Sequence, residues 1–233
     1  VKYLANLAGM QPYLFTKQDV EREKKWKEYC SIFNRYVEFY HDKLIKTQSY
    51  SNVRDYLKNR LISKDEVKKF KIGYIEKNPN FFEKLNQDFS TEALKETGLF
   101  YLDEKKNCYI ERFRGRLIFP INNISGQPIA LGGRIIENSD YLAKYINSPE
   151  TIFFKKGSNL YNLDIARKLS NKIDHIFLVE GYMDVVGLSK NGIENAVANL
   201  GTSLTDKQIL TLNQFFDDII ICFDGDESGY KAA

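Results

Sequence analysis

Four carboxylates near the C-terminus carry the most specific chemical pattern in the chain. Glu180 directly follows the apolar run Ile176–Val179, and Asp184 lies four residues further on. Asp224 and Asp226 follow a second apolar run, Ile219–Phe223. Several carboxylates gathered in one small site repel one another unless cations neutralise them. Mg²⁺ is the natural counter-ion, because it takes oxygen ligands, keeps several waters and is commonly shared with substrate phosphates. Gly225 permits a tight turn, so both aspartates can face one site. Each piece alone has a plainer reading: an isolated Asp-Gly-Asp is usually a turn, and an isolated Glu after a strand is often a solvated strand end. The joint placement is what makes the pattern specific.

That placement needs a parallel sheet. A strand at 176–179 is followed by a helix to about Lys190, with Gly192 near its end, and by a second strand at 196–198. Thr205 N-caps a helix expected to run to about Phe216, and the third strand is 219–223. Strand–helix–strand–helix–strand predicts parallel strands with helices on their faces. Ligand sites in such sheets form outside the carboxyl ends of the strands, where the two acidic pairs converge.

The upstream pattern differs. Residues 1–16 read as the tail of something before them. From Lys17 to Lys46, Tyr29, Phe33, Tyr36, Val37 and Tyr40 recur at helical spacing, which predicts a helix laid on a core. Ser63-Lys-Asp-Glu66 is a capping box, and Thr91 to Glu96, stopped by Gly98, is another short helix. Residues 115–121 and 129–136 read as strands of an antiparallel hairpin around NNISGQP, and 162–169 as helical. The last helix is cut at Ala233, as in a fragment.

With 233 residues and a hydrophobic fraction of 43%, the chain can bury a core. No apolar run approaches the roughly 20 residues that cross a bilayer, and the N-terminal stretch does not read as a secretion signal, so no membrane role is expected. The net charge is only +3, so a phosphate-binding surface must come from local clustering. Cys30, Cys108 and Cys222 are scattered and odd in number, and His41 and His175 are isolated. They form neither a disulfide framework nor a zinc site, and a reduced cytoplasmic compartment is expected.

LVEGYMDVVGL, NAVANLGTSLT and ICFDGDESGYKAA resemble, in order and spacing, the TOPRIM motifs of bacterial DnaG-type DNA primases. ERFRGRLIFPI, LGGRII, KYINSPET and FFKKGSNLYN resemble other motifs of that family, over roughly residues 17–233. The resemblance implies an α+β N-terminal lobe followed by an α/β TOPRIM lobe, a parallel sheet flanked by helices and truncated at its C-terminus. Its divisions are a linker at 1–16, a basic lobe at 17–172 and an incomplete TOPRIM domain at 173–233. It implies catalytic roles for Glu180, Asp184, Asp224 and Asp226, with Glu180, Asp224 and Asp226 holding Mg²⁺ or Mn²⁺. Arg112, Arg114, Arg116, Arg134, Lys144, Asn147 and Lys156 are implied to hold template, primer or nucleotide.

The residues support part of that reading directly. If RFRGRLIF is extended, Arg112, Arg114 and Arg116 share one face and repel unless they meet anions; a solvated strand face is the plainer alternative. The planar guanidinium suits phosphate. The glycines of GGR allow a phosphate or a neighbouring backbone to come close. Without the resemblance, the lysines of FFKKG would be only a turn.

The implied reaction is attack of a 3′-hydroxyl on the α-phosphate of a ribonucleoside triphosphate, which builds an RNA primer on a single-stranded DNA template. Glu180 is a metal ligand or a general base; the sequence does not separate the two. The family's zinc-binding domain, its third acidic motif and its domain for the replicative helicase are not seen in this chain. The alternatives are a TOPRIM-containing topoisomerase or nuclease fragment, or a non-catalytic nucleic-acid binding module.

Overall fold

Thr16 opens a long helix with a reciprocal cap. Its hydroxyl accepts the Asp19 N–H at 3.2 Å, and Asp19 accepts the Thr16 N–H at 2.8 Å. In the computed structural model, which describes residues 3, 7–10, 16–137, 139, 141–201, 203–225, 227 and 229, this helix is α1, Lys17–Lys46. Most of the segment 1–16 lies outside those residues. The expected stripe of Tyr29, Phe33, Tyr36, Val37 and Tyr40 is buried, and Leu44 extends it. Two short helices follow, α2 (Ser51–Asn59) and α3 (Lys64–Lys69), the second opened by the Ser63–Glu66 capping box. Further on come α4 (Phe81–Leu85) and α5 (Thr91–Glu96).

The strands β1 (Gly73–Ile75), β4 (Arg116–Asn122), β5 (Pro128–Ile135) and β6 (Tyr145–Asn147) make one antiparallel sheet in the order β1-β4-β5-β6. The expected hairpin is its centre. Strands β2 (Phe100–Asp103) and β3 (Cys108–Glu111) form a separate ribbon. A buried carboxylate ties that ribbon to α1. Glu111 accepts the hydroxyls of Tyr36 at 2.7 Å and Tyr40 at 2.6 Å, and the Phe81 N–H at 2.8 Å. Burial still holds its pKa above the ordinary value.

After α6 (Leu163–Ala166) and a single 3₁₀ turn, the parallel unit begins. Its elements are β7 (His175–Val179), α7 (Tyr182–Lys190), β8 (Ala196–Ala198), α8 (Asp206–Leu212) and β9 (Asp218–Cys222). All pairings are parallel, in the order β8-β7-β9. Helix α8 is shorter than expected. It stops at Leu212, and Phe215 and Phe216 bond their N–H groups back to Leu212 as the chain turns into β9.

The antiparallel sheet and the parallel unit share a core. Tyr182, Val185 and Val186 of α7 are buried in the same cluster as Phe119 and Leu131. Gly132 makes this possible: a Cβ there would lie 2.3 Å from Cζ of Tyr182, so the tyrosine ring occupies the glycine's empty side. Gly133 is crowded in the same way by Phe113, whose Cδ1 would lie 2.5 Å from a Cβ. The two glycines thus admit aromatic rings, where a phosphate or a backbone segment was expected.

Candidate active site between the parallel sheet and the basic strands

Val179 pairs with Cys222, so the chain leaves β7 and β9 side by side. From β7 it turns to β8 on one side; from β8 it crosses back to β9 on the other. That reversal opens the ligand crevice of a parallel sheet. Glu180 and Asp224 stand on its two sides. The Asp224 N–H donates to Oε1 of Glu180 at 2.9 Å, and the close approach of Gly229 to the Asp224 carbonyl allows no side chain there. Asp184, in the first turn of α7, accepts the Gly181 N–H at 2.9 Å and caps its own helix.

Asp184 feels the other two carboxylates. Burial raises the pKa of Asp184, and the charges of Asp224 and Glu180 add to the rise; the Gly181 N–H and Arg134 oppose it. Asp226 lies outside the described residues, and among those residues no three His, Cys, Asp or Glu form a closed metal cage. The donor set nevertheless suits an open site. Glu180 and Asp184 each commit one oxygen to a backbone N–H, which leaves the other oxygen for a cation that keeps most of its waters.

Basic residues gather on the neighbouring antiparallel sheet. Arg134 is only 3% exposed. It donates to the Tyr145 hydroxyl, its guanidinium lies 5.1 Å from the Tyr145 ring centroid, and its Nε is buried with no partner among the described residues. Arg116, 5% exposed, donates to the Lys144 carbonyl at 3.2 Å, and burial lowers its pKa. Asn147 donates to the Leu200 carbonyl at 2.8 Å, which pins β6 to the loop after β8. Arg116, Arg134, Lys144 and Asn147 therefore gather along β6, and the charge of Arg134 reaches Asp184.

Arg112 and Arg114 do not join them. Residues 112–115 form a turn between β3 and β4 instead of continuing a strand. Arg112 bonds the Gly98 carbonyl at 2.8 Å, Arg114 bonds the Tyr101 hydroxyl at 3.0 Å, and both lie over the Tyr101 ring. The expected common face of Arg112, Arg114 and Arg116 is therefore split in two, because Gly115 turns the chain with a φ of 70°. Lys156 sits at another corner. Its carbonyl accepts Nε2 of buried Gln208, and Thr205 bonds the Gly157 carbonyl, so the FFKKG segment is anchored to α8 through its backbone.

His41 is buried against the Ile72 carbonyl and His175 sits beside Asp174, while the three cysteines are free. Sequence reading missed Tyr145 and Tyr182, which lie within KYINSPET and EGYMD but carry no charge to mark them. It also missed Glu111, whose burial no local pattern announces.

A parallel sheet with carboxylates on both sides of its crossover reversal defines a TOPRIM unit, and residues 174–233 match the Toprim domain family model. Residues 39–167 match the model for the DNA primase catalytic core, N-terminal domain, and the chain belongs to the DnaG-type DNA primase family. It is 34% identical to the DNA primase of Enterococcus faecalis over 92% of this chain and 35% of that protein. It is 33% identical to that of Thermotoga maritima over 98% of this chain and 39% of that protein. The chain thus spans little more than a third of the curated relatives it matches. A DnaG primase catalytic domain solved bound to single-stranded DNA superposes with a TM-score of 0.81 at 32% identity, covering 90% of this chain and 65% of that one. The zinc-binding and RNA polymerase domains of Aquifex aeolicus primase give 0.79 at 34% identity, covering 99% and 54%. Among the described residues, no helix is long and apolar enough to cross a membrane.

Proposed function

We propose that this chain is the catalytic core of a DNA primase, which joins ribonucleotides into a short RNA primer on single-stranded DNA. A basic lobe, 17–172, faces a TOPRIM lobe, 173–233. The observation that carries the reading is the bond between Glu180 and Asp224 across the ends of β7 and β9, with Asp184 close enough to feel their charges and that of Arg134. The 3′-hydroxyl of the growing strand attacks the α-phosphate of a ribonucleoside triphosphate. A new phosphodiester forms, the bond to the β-phosphate bridging oxygen breaks, and pyrophosphate leaves.

This chain's own residues orient the participants. Arg116 and Arg134 are cations held in little water, so they bind phosphate oxygens more strongly than exposed ones would. Lys144 contributes an exposed charge at the mouth. Asn147 positions β6 against the sheet edge. Arg112, Arg114 and Lys156, away from this cluster, hold the sugar–phosphate backbone further out, without reading its sequence. Glu180, Asp224 and Asp226, with Asp184 beside them, would hold Mg²⁺, which when bound neutralises the triphosphate and the leaving pyrophosphate. Mn²⁺ suits the same oxygen donors. Glu180 is the group best placed to accept the hydroxyl proton if it is not a ligand.

The test is primer synthesis on single-stranded DNA with labelled ribonucleotides and Mg²⁺. Short RNA made by the parent and lost in Asp224→Ala, with circular dichroism unchanged, supports the reading. Activity of Asp224→Ala within a few-fold of the parent sinks it, and a covalent protein–DNA adduct would move the chain to the topoisomerases.

A further inference from the structure

Helix α7 carries carboxylates of the cleft at its N-terminal end, with Asp184 in the first turn and Glu180 just before the helix. Tyr182 fixes that end in the space beside Gly132. The other end has a second fastening. Lys69, the last residue of α3, donates from Nζ to Oγ of Ser189 at 2.8 Å and to Oε1 of Glu194 at 2.6 Å. Ser189 is buried in the last turn of α7, and Glu194 follows in the loop to β8. The two acceptors lie 120 and 125 residues beyond the lysine in sequence.

Other ion pairs, such as Lys25–Glu96 and Lys71–Glu38, stay within residues 17–172. Lys69–Glu194 crosses from that segment to the TOPRIM unit. Aromatic rings continue the seam. The Lys69 ammonium lies 5.6 Å from the Phe70 ring centroid, Phe70 stacks on Tyr161 at 6.2 Å, and Tyr161 meets Tyr182 edge-on at 5.0 Å. One line of contacts thus runs from the C-terminal fastening of α7 back to the tyrosine that fixes its N-terminal end.

An ion pair at the surface adds little to stability. This one matters through its placement. The nine residues of α7 span about 13 Å. Held at Tyr182 alone, such a rod can rock; held at both ends, it keeps its direction. Chemistry on a triphosphate needs the carboxylates of the TOPRIM unit in register with the arginines of the antiparallel sheet, and a misplacement of roughly 1 Å can cost about a hundredfold in rate. A lysine ammonium suits the task, because its several donors tie the helix and the loop after it at once.

We propose that Lys69 is a positioning residue for the cleft. Its ammonium clamps the C-terminal end of α7 to α3, and so keeps Glu180 and Asp184 in register with Arg134 around a triphosphate and its Mg²⁺. The proposal rests on the function assigned to the cleft.

The test measures ATP affinity by calorimetry in Mg²⁺ and again in EDTA, with urea melts and oligo-dT anisotropy beside it. The proteins are the parent, Lys69→Met, Lys69→Arg and Glu194→Gln. Both positions lie at the surface, so the variants should fold. In the parent, Mg²⁺ should tighten ATP binding, because the cation is shared between carboxylates and phosphates. Lys69→Met is expected to lose that gain several-fold, while its affinities for ATP in EDTA and for oligo-dT stay within twofold of the parent's. Lys69→Arg, which keeps the charge and the donors, should retain the gain, and Glu194→Gln should lose part of it. Lys69→Met with the parent's full gain overturns the proposal and leaves the cleft's function standing. An equal loss in Mg²⁺ and in EDTA, with a lower urea midpoint that Lys69→Arg does not restore, also overturns it and makes the contact merely structural. A parent that gains nothing from Mg²⁺ overturns both readings.

Discussion

The backbone N–H of Asp224 donates to the carboxylate of Glu180 at 2.9 Å, across 44 residues of sequence. This bond fixes the loop after β9 against the loop after β7 and sets where both carboxylates stand. Glu180 thus has two separable properties, its acceptor oxygen and its charge.

Glu180→Gln keeps an acceptor for the Asp224 amide and drops the charge, whereas Glu180→Ala drops both. Primer synthesis is expected to fall by at least about a hundredfold in each, the scale of losing one preorganised electrostatic contact in a catalytic site. Amide exchange at Asp224 should stay slow in Glu180→Gln and quicken in Glu180→Ala. Near-parental synthesis by Glu180→Gln would show that the residue serves geometry alone.

Arg114 and Arg116 are two residues apart, yet they should behave differently. Arg114 is exposed on Tyr101, so Arg114→Gln is expected to shift stability by no more than about 0.5 kcal/mol and to lower the salt slope of DNA binding. Arg116 is buried on the Lys144 carbonyl, so Arg116→Gln should lower stability by about 1–3 kcal/mol and raise the KM for ATP. Denaturant melts and initial rates separate the two. Equal effects on KM would contradict the split of the RFRGR segment.

The contrast marks how far the sequence could be read. Helix α1, the β4–β5 hairpin and strands β7 and β8 were legible because their apolar spacing reports burial directly, whereas β9 was legible from its apolar run although Ile220 and Ile221 are exposed. Glu180 and Asp224 were legible because they follow apolar strands. The turn at residues 112–115 was not, because alternating Arg residues imitate a strand and only Gly115 hints at a reversal. Tyr145 was invisible for another reason. Its partner Arg134 lies 11 residues away, and no local pattern encodes a tertiary stack. The end of α8 was overestimated because Phe215 and Phe216 continue an apolar pattern that in fact belongs to the turn.

Glu111 gives the fold a pH dependence of definite sign. Burial, its leading perturbation, raises its pKa above 4.5 despite three hydrogen bonds. The protonated form is therefore favoured in the folded state. This contribution is fully present below the unfolded value and is lost as pH rises from there through the folded pKa. Glu111→Gln can turn its oxygen to the Phe81 N–H and donate to the tyrosine hydroxyls, so its stability should decline less over that range. Superimposable stability–pH curves for the parent and Glu111→Gln would refute the assignment.

The contact between Tyr182 and Gly132 joins the TOPRIM unit to the antiparallel sheet, and it leaves no room for a methyl group. A Cβ at 132 would lie 2.3–2.6 Å from Cζ, Cε2 and the hydroxyl of Tyr182. That ring cannot swing away, because it is stacked on Phe119 at 5.4 Å and edge-on to Tyr161 at 5.0 Å. Gly132→Ala should therefore destabilise the protein by about 1–3 kcal/mol, the usual scale of overpacking. Tyr182→Leu alone should also destabilise, by leaving a cavity. Because the two sites touch, the double variant should be more stable than the sum of the single losses predicts. Urea melts of the four proteins complete the cycle. Strict additivity would mean that the ring and the glycine do not press on each other, and that the two units are joined elsewhere.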